Sequence, residues 1–237
     1  IVDSLGVMGM ATTSFLSSLT VLTMSLSTLA QQGWARARHP ERPATPYPPT
    51  ALPLSIGAAT GGVAGKVVFN AIRGSLGSAE TVGAIQAAVL FALSAATIAY
   101  TLLRSRVSTL HVEGAVPSAL IGAVTGAMWA FLGIGGGPFN LVILTLLFSE
   151  QTRTAARESI LIIAFSQVAS LVYTIASGSV PAFEPLMLVM MTAMAVAGSV
   201  AGKRIASRIT DRGTDVLYAL TLIVVMLLCA RNFLVLL

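Results

Sequence analysis

Charge is scarce in this 237-residue chain: Asp, Glu, Lys and Arg together make up 10% of it, against roughly 25% in soluble domains. That shortage excludes an ordinary water-soluble fold, whose surface helices need polar outer faces. There is one cysteine, Cys229, inside an apolar run, so no internal disulfide can form. The two histidines, His39 and His111, fall in connecting loops with no second ligand or nucleophile at useful spacing. Neither a metal centre nor a hydrolytic group is expected from them. No glycine-rich nucleotide-binding loop occurs, so direct ATP coupling is not expected, and no cofactor is implied. The net charge of +5 comes from basic residues in short loops, without interleaved stacking aromatics. This is not the footprint of a nucleic-acid binder.

Apolar sequence is abundant, at 55%. Uncharged runs at 4–35, 81–103, 114–149, 159–183 and 185–202 are each long enough to span or nearly span a bilayer. The pattern reads as an all-α, multi-pass integral protein of an inner or plasma membrane. Eight segments are expected, at about 1–16, 18–33, 51–72, 80–103, 115–149, 156–177, 183–208 and 214–236. The chain opens on Ile1 rather than Met, so the first span is expected to begin upstream; no signal peptide is identified. One polar connection is extended: residues 36–50 hold five prolines and three arginines and read as a solvent-exposed linker.

The 114–149 run is 36 residues long and is interrupted by GIGGGP at 133–138. As one straight helix it would reach ~54 Å, well beyond the ~30 Å hydrocarbon core. Four glycines followed by proline break a helix. Broken backbone at membrane depth persists only where protein buries it or a polar cavity faces it.

Basic residues then choose a topology. If 114–149 crosses once, six of them fall on one face and eight on the other. If it turns at GIGGGP and leaves on the side it entered, eleven gather on one face, leaving Lys66, Arg73 and Arg231 opposite. The positive-inside rule selects the second arrangement and makes the 36–50 linker cytoplasmic.

The chain also repeats itself. GGVAGK at 61–66 matches GSVAGK at 198–203, with Ile72 and Ile209 in register, and SLGVMGMA at 4–11 resembles FLGIGGGP at 131–138. Residues 1–105 and 114–237 therefore read as two copies of about four helical segments each. Treating 1–16 as a second hairpin leaves three crossings per copy, which inverts one copy relative to the other, as in secondary transporters. Gly6 to Lys66 spans 60 positions and Gly133 to Lys203 spans 70. Either the connection between 1–16 and 18–33 is abbreviated, or residues there are absent.

Candidate site residues follow from the two glycine tips, expected to meet near the midplane. Gly133, Gly135, Gly136 and Gly137 free backbone N–H groups, and Pro138 suits the first turn of the half-helix beyond. Such a terminus favours an anion. Gly6 and Gly9 play the same part at the first tip, with hydroxyls from Thr12, Thr13 and Ser14. Asn140 adds an amide donor. Asp3, read as the one carboxylate inside an apolar run, is the candidate for a coupling proton. Ser166 and Gln167 could bond substrate or a neighbouring helix, and Trp129 could wall the cavity or simply pack. Lys66 and Lys203 end two spans at matched positions; snorkelling to opposite interfaces is their plainer role, guiding anions the sharper one. Small-residue ridges at Gly57, Gly61 and Gly65, at Gly122 and Gly126, and at Gly198 and Gly202 read as packing seams.

The GIGGGP segment, the small-residue run ending AGKRIASRI at 201–209, and the degenerate first copy resemble the TauE/SafE sulfite exporter family over nearly the whole chain. The first copy departs from the family pattern at Met8, Met10 and Ala11, and the opening VDSLG at 2–6 is similar to a variant first motif found in part of it. The resemblance implies a permease, not an enzyme, for small sulfur-containing anions such as sulfite or an organosulfonate. Together these features predict a secondary transporter working by alternating access, in the bilayer, and compatible with a homodimer. An anion channel of the same fold is the alternative, and a membrane-embedded enzyme is disfavoured by the scarcity of His, Cys and buried acids.

Overall fold

The computed structural model describes residues 10–38, 46–76, 79–103, 107–132, 136–206 and 208–236. Their regular elements are helices: α1 (Met10–Arg38), α2 (Ala51–Leu76), α3 (Ala79–Leu103), α4 (Ala115–Leu132), α5 (Gly137–Leu147), α6 (Thr152–Ala176), α7 (Pro185–Ala206) and α8 (Asp211–Leu236). Among the described residues, five helical stretches are long and apolar enough to cross a membrane, in α1, α2, α4, α6 and α7. Polarity is inverted relative to a soluble protein. Val116, Leu120 and Val124 of α4 and Leu186, Val189, Met190 and Met194 of α7 are exposed, whereas Ser25, Ser55, Ser94 and Ser118 are fully buried. That is the pattern of a bundle solvated by lipid chains.

The closest packing joins α2 to α4. A Cβ on Gly57, Gly61 or Gly65 would fall onto the backbone of Ala119, Ala123 or Ala127 respectively. A Cβ on Gly122 or Gly126 would fall onto that of Leu54 or Ala58. The pairings rise together along both helices, so α2 and α4 run parallel with their backbones touching, which only glycine permits. Elsewhere α1 lies against α6 and α7, and α3 against α8. Between α1 and α7 the contact is polar: Gln31 Nε2 donates to Ser199 Oγ at 2.9 Å, and Ser27 and Ser199 share a hydroxyl bond at 2.8 Å.

The 115–149 segment is broken and folds back. The Leu110 N–H donates to the Leu146 carbonyl at 2.8 Å and the Val112 N–H to that of Leu147 at 2.9 Å. The chain entering α4 thus lies beside the chain leaving α5. At the same end, the Arg157 guanidinium sits 5.2 Å from the Tyr47 ring, and Arg153 donates to the Ile209 carbonyl. The proline-rich connection and the α3–α4, α5–α6 and α7–α8 connections therefore share one end. At the other end the Thr12 hydroxyl donates to the Ala182 carbonyl and Phe15 meets Phe183.

Two expectations are corrected. Where 1–16 and 18–33 were read as separate segments, α1 runs unbroken from Met10 to Arg38. Four of its hydroxyls are satisfied internally, Thr20, Thr23, Ser25 and Thr28 each donating to the carbonyl four residues back, so these polar side chains do not interrupt it. The matched ridges also behave differently. Gly61 is sealed against α4, but a Cβ on Gly198 or Gly202 would meet nothing within 4 Å.

Candidate functional site

The break between α4 and α5 is built from two residues that need each other. Gly136 caps α5 at φ 68°, in the left-handed region, and a Cβ there would overlap the Trp129 indole. Pro138 follows in the first turn, and no side chain caps the helix. The Asn140 N–H closes the first intrahelical bond on the Gly136 carbonyl at 2.7 Å. The uncapped α5 terminus leaves first-turn amides free and carries the positive end of the helix dipole.

Trp129 and Asn140 bridge the two halves. The indole N–H donates to Asn140 Oδ1 at 2.7 Å, and the Trp129 ring stacks on Phe139 with centroids 5.1 Å apart. An indole nitrogen can only donate, so Asn140 must present its oxygen to Trp129 and its amide nitrogen elsewhere. That Nδ2 is buried and has no partner among the described residues. It is a donor in want of an acceptor.

Asn140 and Trp129 line a cavity of about 30 Å³, room for two or three waters at roughly 10–15 Å³ each. Ser14, Ser17 and Ser18 of α1, Lys66 of α2, and Ser166, Gln167 and Ser170 of α6 line it too, and no acidic side chain does. Lys66 Nζ donates to the Ser170 carbonyl at 3.3 Å and to Thr174 Oγ1 at 2.9 Å. Its ammonium is thus held against the second half of α6. Its sequence counterpart, Lys203, donates to the Gln31 carbonyl at an exposed position. The matched pair thus has two different situations.

Of the residues singled out from sequence, Ser14, Lys66, Trp129, Asn140, Ser166 and Gln167 converge on this cavity. Gly136, Gly137 and Pro138 form the α5 terminus beside it, and the Pro138 carbonyl accepts from the Tyr218 hydroxyl at 2.6 Å. Thr12 is turned toward Ala182 instead. Thr13 Oγ1 is buried without a partner, outside the lining described above. Asp3, Gly6, Gly9, Gly133 and Gly135 lie outside the described residues. Sequence reasoning did not single out Ser17, Ser18 and Ser170. The signal available was the four-residue spacing of Ser14 and Ser18, and of Ser166 and Ser170, which places each pair on one helical face.

A bundle with lipid-facing apolar helices, a glycine-broken pair at its core and a small cation-lined cavity defines a multi-pass membrane protein of the transport class. The family model of the sulfite exporter TauE/SafE matches residues 4–230. The chain belongs to that family. No curated protein and no solved structure matches it.

Proposed function

We propose that the chain carries a small sulfur oxyanion, sulfite or an organosulfonate, by alternating access, with the anion held in the cavity between α1, α2, α4, α5 and α6. One observation carries this reading: a buried, unpartnered amide donor, Asn140 Nδ2, shares the cavity with the Lys66 cation, several hydroxyls and no carboxylate. An uncapped helix terminus begins beside it. Each of these favours negative charge. The cavity suits a small ion rather than a nucleotide or peptide. Residues 1–105 and 114–237 are read as the two moving repeats, inverted relative to each other, and α4–α5 as a re-entrant hairpin. Support for the hairpin comes from the Leu110–Leu146 and Val112–Leu147 bonds and from the basic connections collected at one end, which positive-inside bias makes cytoplasmic. An inner or plasma membrane is the proposed location.

The test is flux of radiolabelled sulfite into liposomes holding the purified chain. Asn140→Asp keeps an acceptor for Trp129 but places a negative oxygen where the free donor stands. Sulfite uptake should fall by well over tenfold, the equivalent of ~1.4 kcal/mol or more. Unchanged uptake in Asn140→Asp would remove the cavity from the pathway. Conducted single-channel currents would replace alternating access with a pore.

A further inference from the structure

Glu158, in the second turn of α6, is wholly buried, yet neither carboxylate oxygen has a hydrogen-bond partner among the described residues. Its neighbours fix the face it occupies. Ala155 and Ile162, three residues before and four after, pack with Leu54 and Ala58 of α2 and Leu144 of α5. Ile162 also lines the cavity, as do Ser166 and Ser170 at further four-residue steps. Glu158 therefore extends the cavity's stripe by one turn, roughly 6 Å, toward the basic end of the bundle.

The charged and titratable groups around it are few. Glu150, in the turn before α6, acts on it electrostatically, and burial pushes the Glu150 carboxyl above its usual range. On α6 itself, Arg157 is drawn to the Tyr47 ring and Arg153 to the Ile209 carbonyl. From α2, Lys66 is engaged three to four turns away at Ser170 and Thr174. From α1, Arg36 and Arg38 stand in its last turn, Arg38 over Trp34. From α8, the Tyr218 hydroxyl is committed to Pro138. The α5 sequence holds no titratable side chain. A carboxylate among leucine, isoleucine and alanine with no donor to either oxygen is costly, whereas a carboxylic acid is not. Packing alone would be served better by leucine or glutamine.

We propose that Glu158 is the coupling group of the transport cycle, taking up one proton from one side, staying neutral while the adjoining cavity holds the anion, and releasing the proton to the other side. The inference rests on the anion-transport reading above. One O–H bond forms and the same bond breaks; nothing is oxidised. Two negative charges this close in dry protein repel strongly, so proton and anion each favour the other's occupancy and travel in the same direction.

The probe is radiolabelled methanesulfonate, which neither gains nor loses a proton near neutral pH, in liposomes holding the full chain. With one proton per anion, a gradient of one pH unit should drive about tenfold accumulation. Glu158→Gln should keep methanesulfonate exchange between equal pools but lose all accumulation driven by pH. Gradient-driven accumulation that survives in Glu158→Gln overturns the proposal. So does its loss in Asp3→Asn with retention in Glu158→Gln. A second readout needs no cargo and no surviving variant flux. Infrared spectra of purified wild type at neutral pH should show a protonated-carboxyl band that is missing from Glu158→Gln. Absence of the band sinks the Glu158 assignment even if anions are carried. Its presence with no sulfonate flux in wild type sinks the transport reading and leaves the protonated carboxyl standing.

Discussion

At the scale of single residues, the site turns on side chains whose chemistry leaves no choice of orientation. Trp129 can only donate, so Asn140 must turn its amide nitrogen away. Gly136 combines a left-handed φ with an indole where its Cβ would stand. Gly136→Ala should cost about 1–2 kcal/mol from the backbone alone, with the overlap added, and should lower both detergent-solution Tm and sulfite uptake. Lys66→Met removes the cavity's cation while keeping its length. The apparent sulfite affinity should fall roughly tenfold or more, since hydrogen bonds to charged groups contribute about 1.5–3 kcal/mol, with the change in KM rather than in expression. The break between α4 and α5 was legible in the sequence because four glycines and a proline cannot continue a helix. Glu158 was not. Its neighbours Arg153 and Arg157 make the start of the expected 156–177 segment look like a solvated helix end, and α6 in fact begins earlier, at Thr152. Each residue turns ~100° about a helix of 3.6 residues per turn, so Arg157 and Glu158 face different surroundings.

At the scale of helices, the α2–α4 seam shows why the same motif can matter in one place and not in another. Gly61→Ala drives a methyl into the Ala123 backbone and should abolish recovery of monodisperse protein. The matched change Gly198→Ala meets open space. It should leave Tm unchanged or slightly raised, because alanine is the better helix former by up to about 1 kcal/mol. Comparing the two by size-exclusion chromatography and thermal melts checks the contrast. Residue spacing revealed both ridges equally; which one is covered depends on tertiary neighbours that no local pattern encodes. The continuity of 10–33 was hidden for a related reason. The internal duplication suggested a break near residue 17, while Thr20, Thr23, Ser25 and Thr28 of α1 bond back to their own helix, which runs on from Met10 to Arg38.

For the whole molecule, the decisive quantity is which connections share an end. Counting basic residues in the sequence separated the two topologies, and the contacts at Tyr47, Leu110 and Arg153 bring the connections before α4 and after α5 to one end. In a chain whose only cysteine has been changed by Cys229→Ser, single cysteines at Glu113→Cys and Gln151→Cys should react from the same side of sealed vesicles with a membrane-impermeant maleimide. Ser179→Cys should react only from the other side. Labelling of Glu113→Cys and Gln151→Cys from opposite sides would require α4–α5 to cross the bilayer. Charge bias was readable from sequence because lipid enforces it over whole loops. The cavity was not, since it is assembled from five helices spread along the chain.

The indole that bridges the two halves of the hairpin has an optical consequence. The chain holds two tryptophans, and Trp34 is 62% exposed while Trp129 is 5% exposed. A Trp34→Phe chain would emit from the cavity wall alone. An anion drawn to Asn140 would perturb the amide that the indole is bonded to, so the emission maximum, titrated against added anion, would read occupancy with no attached dye.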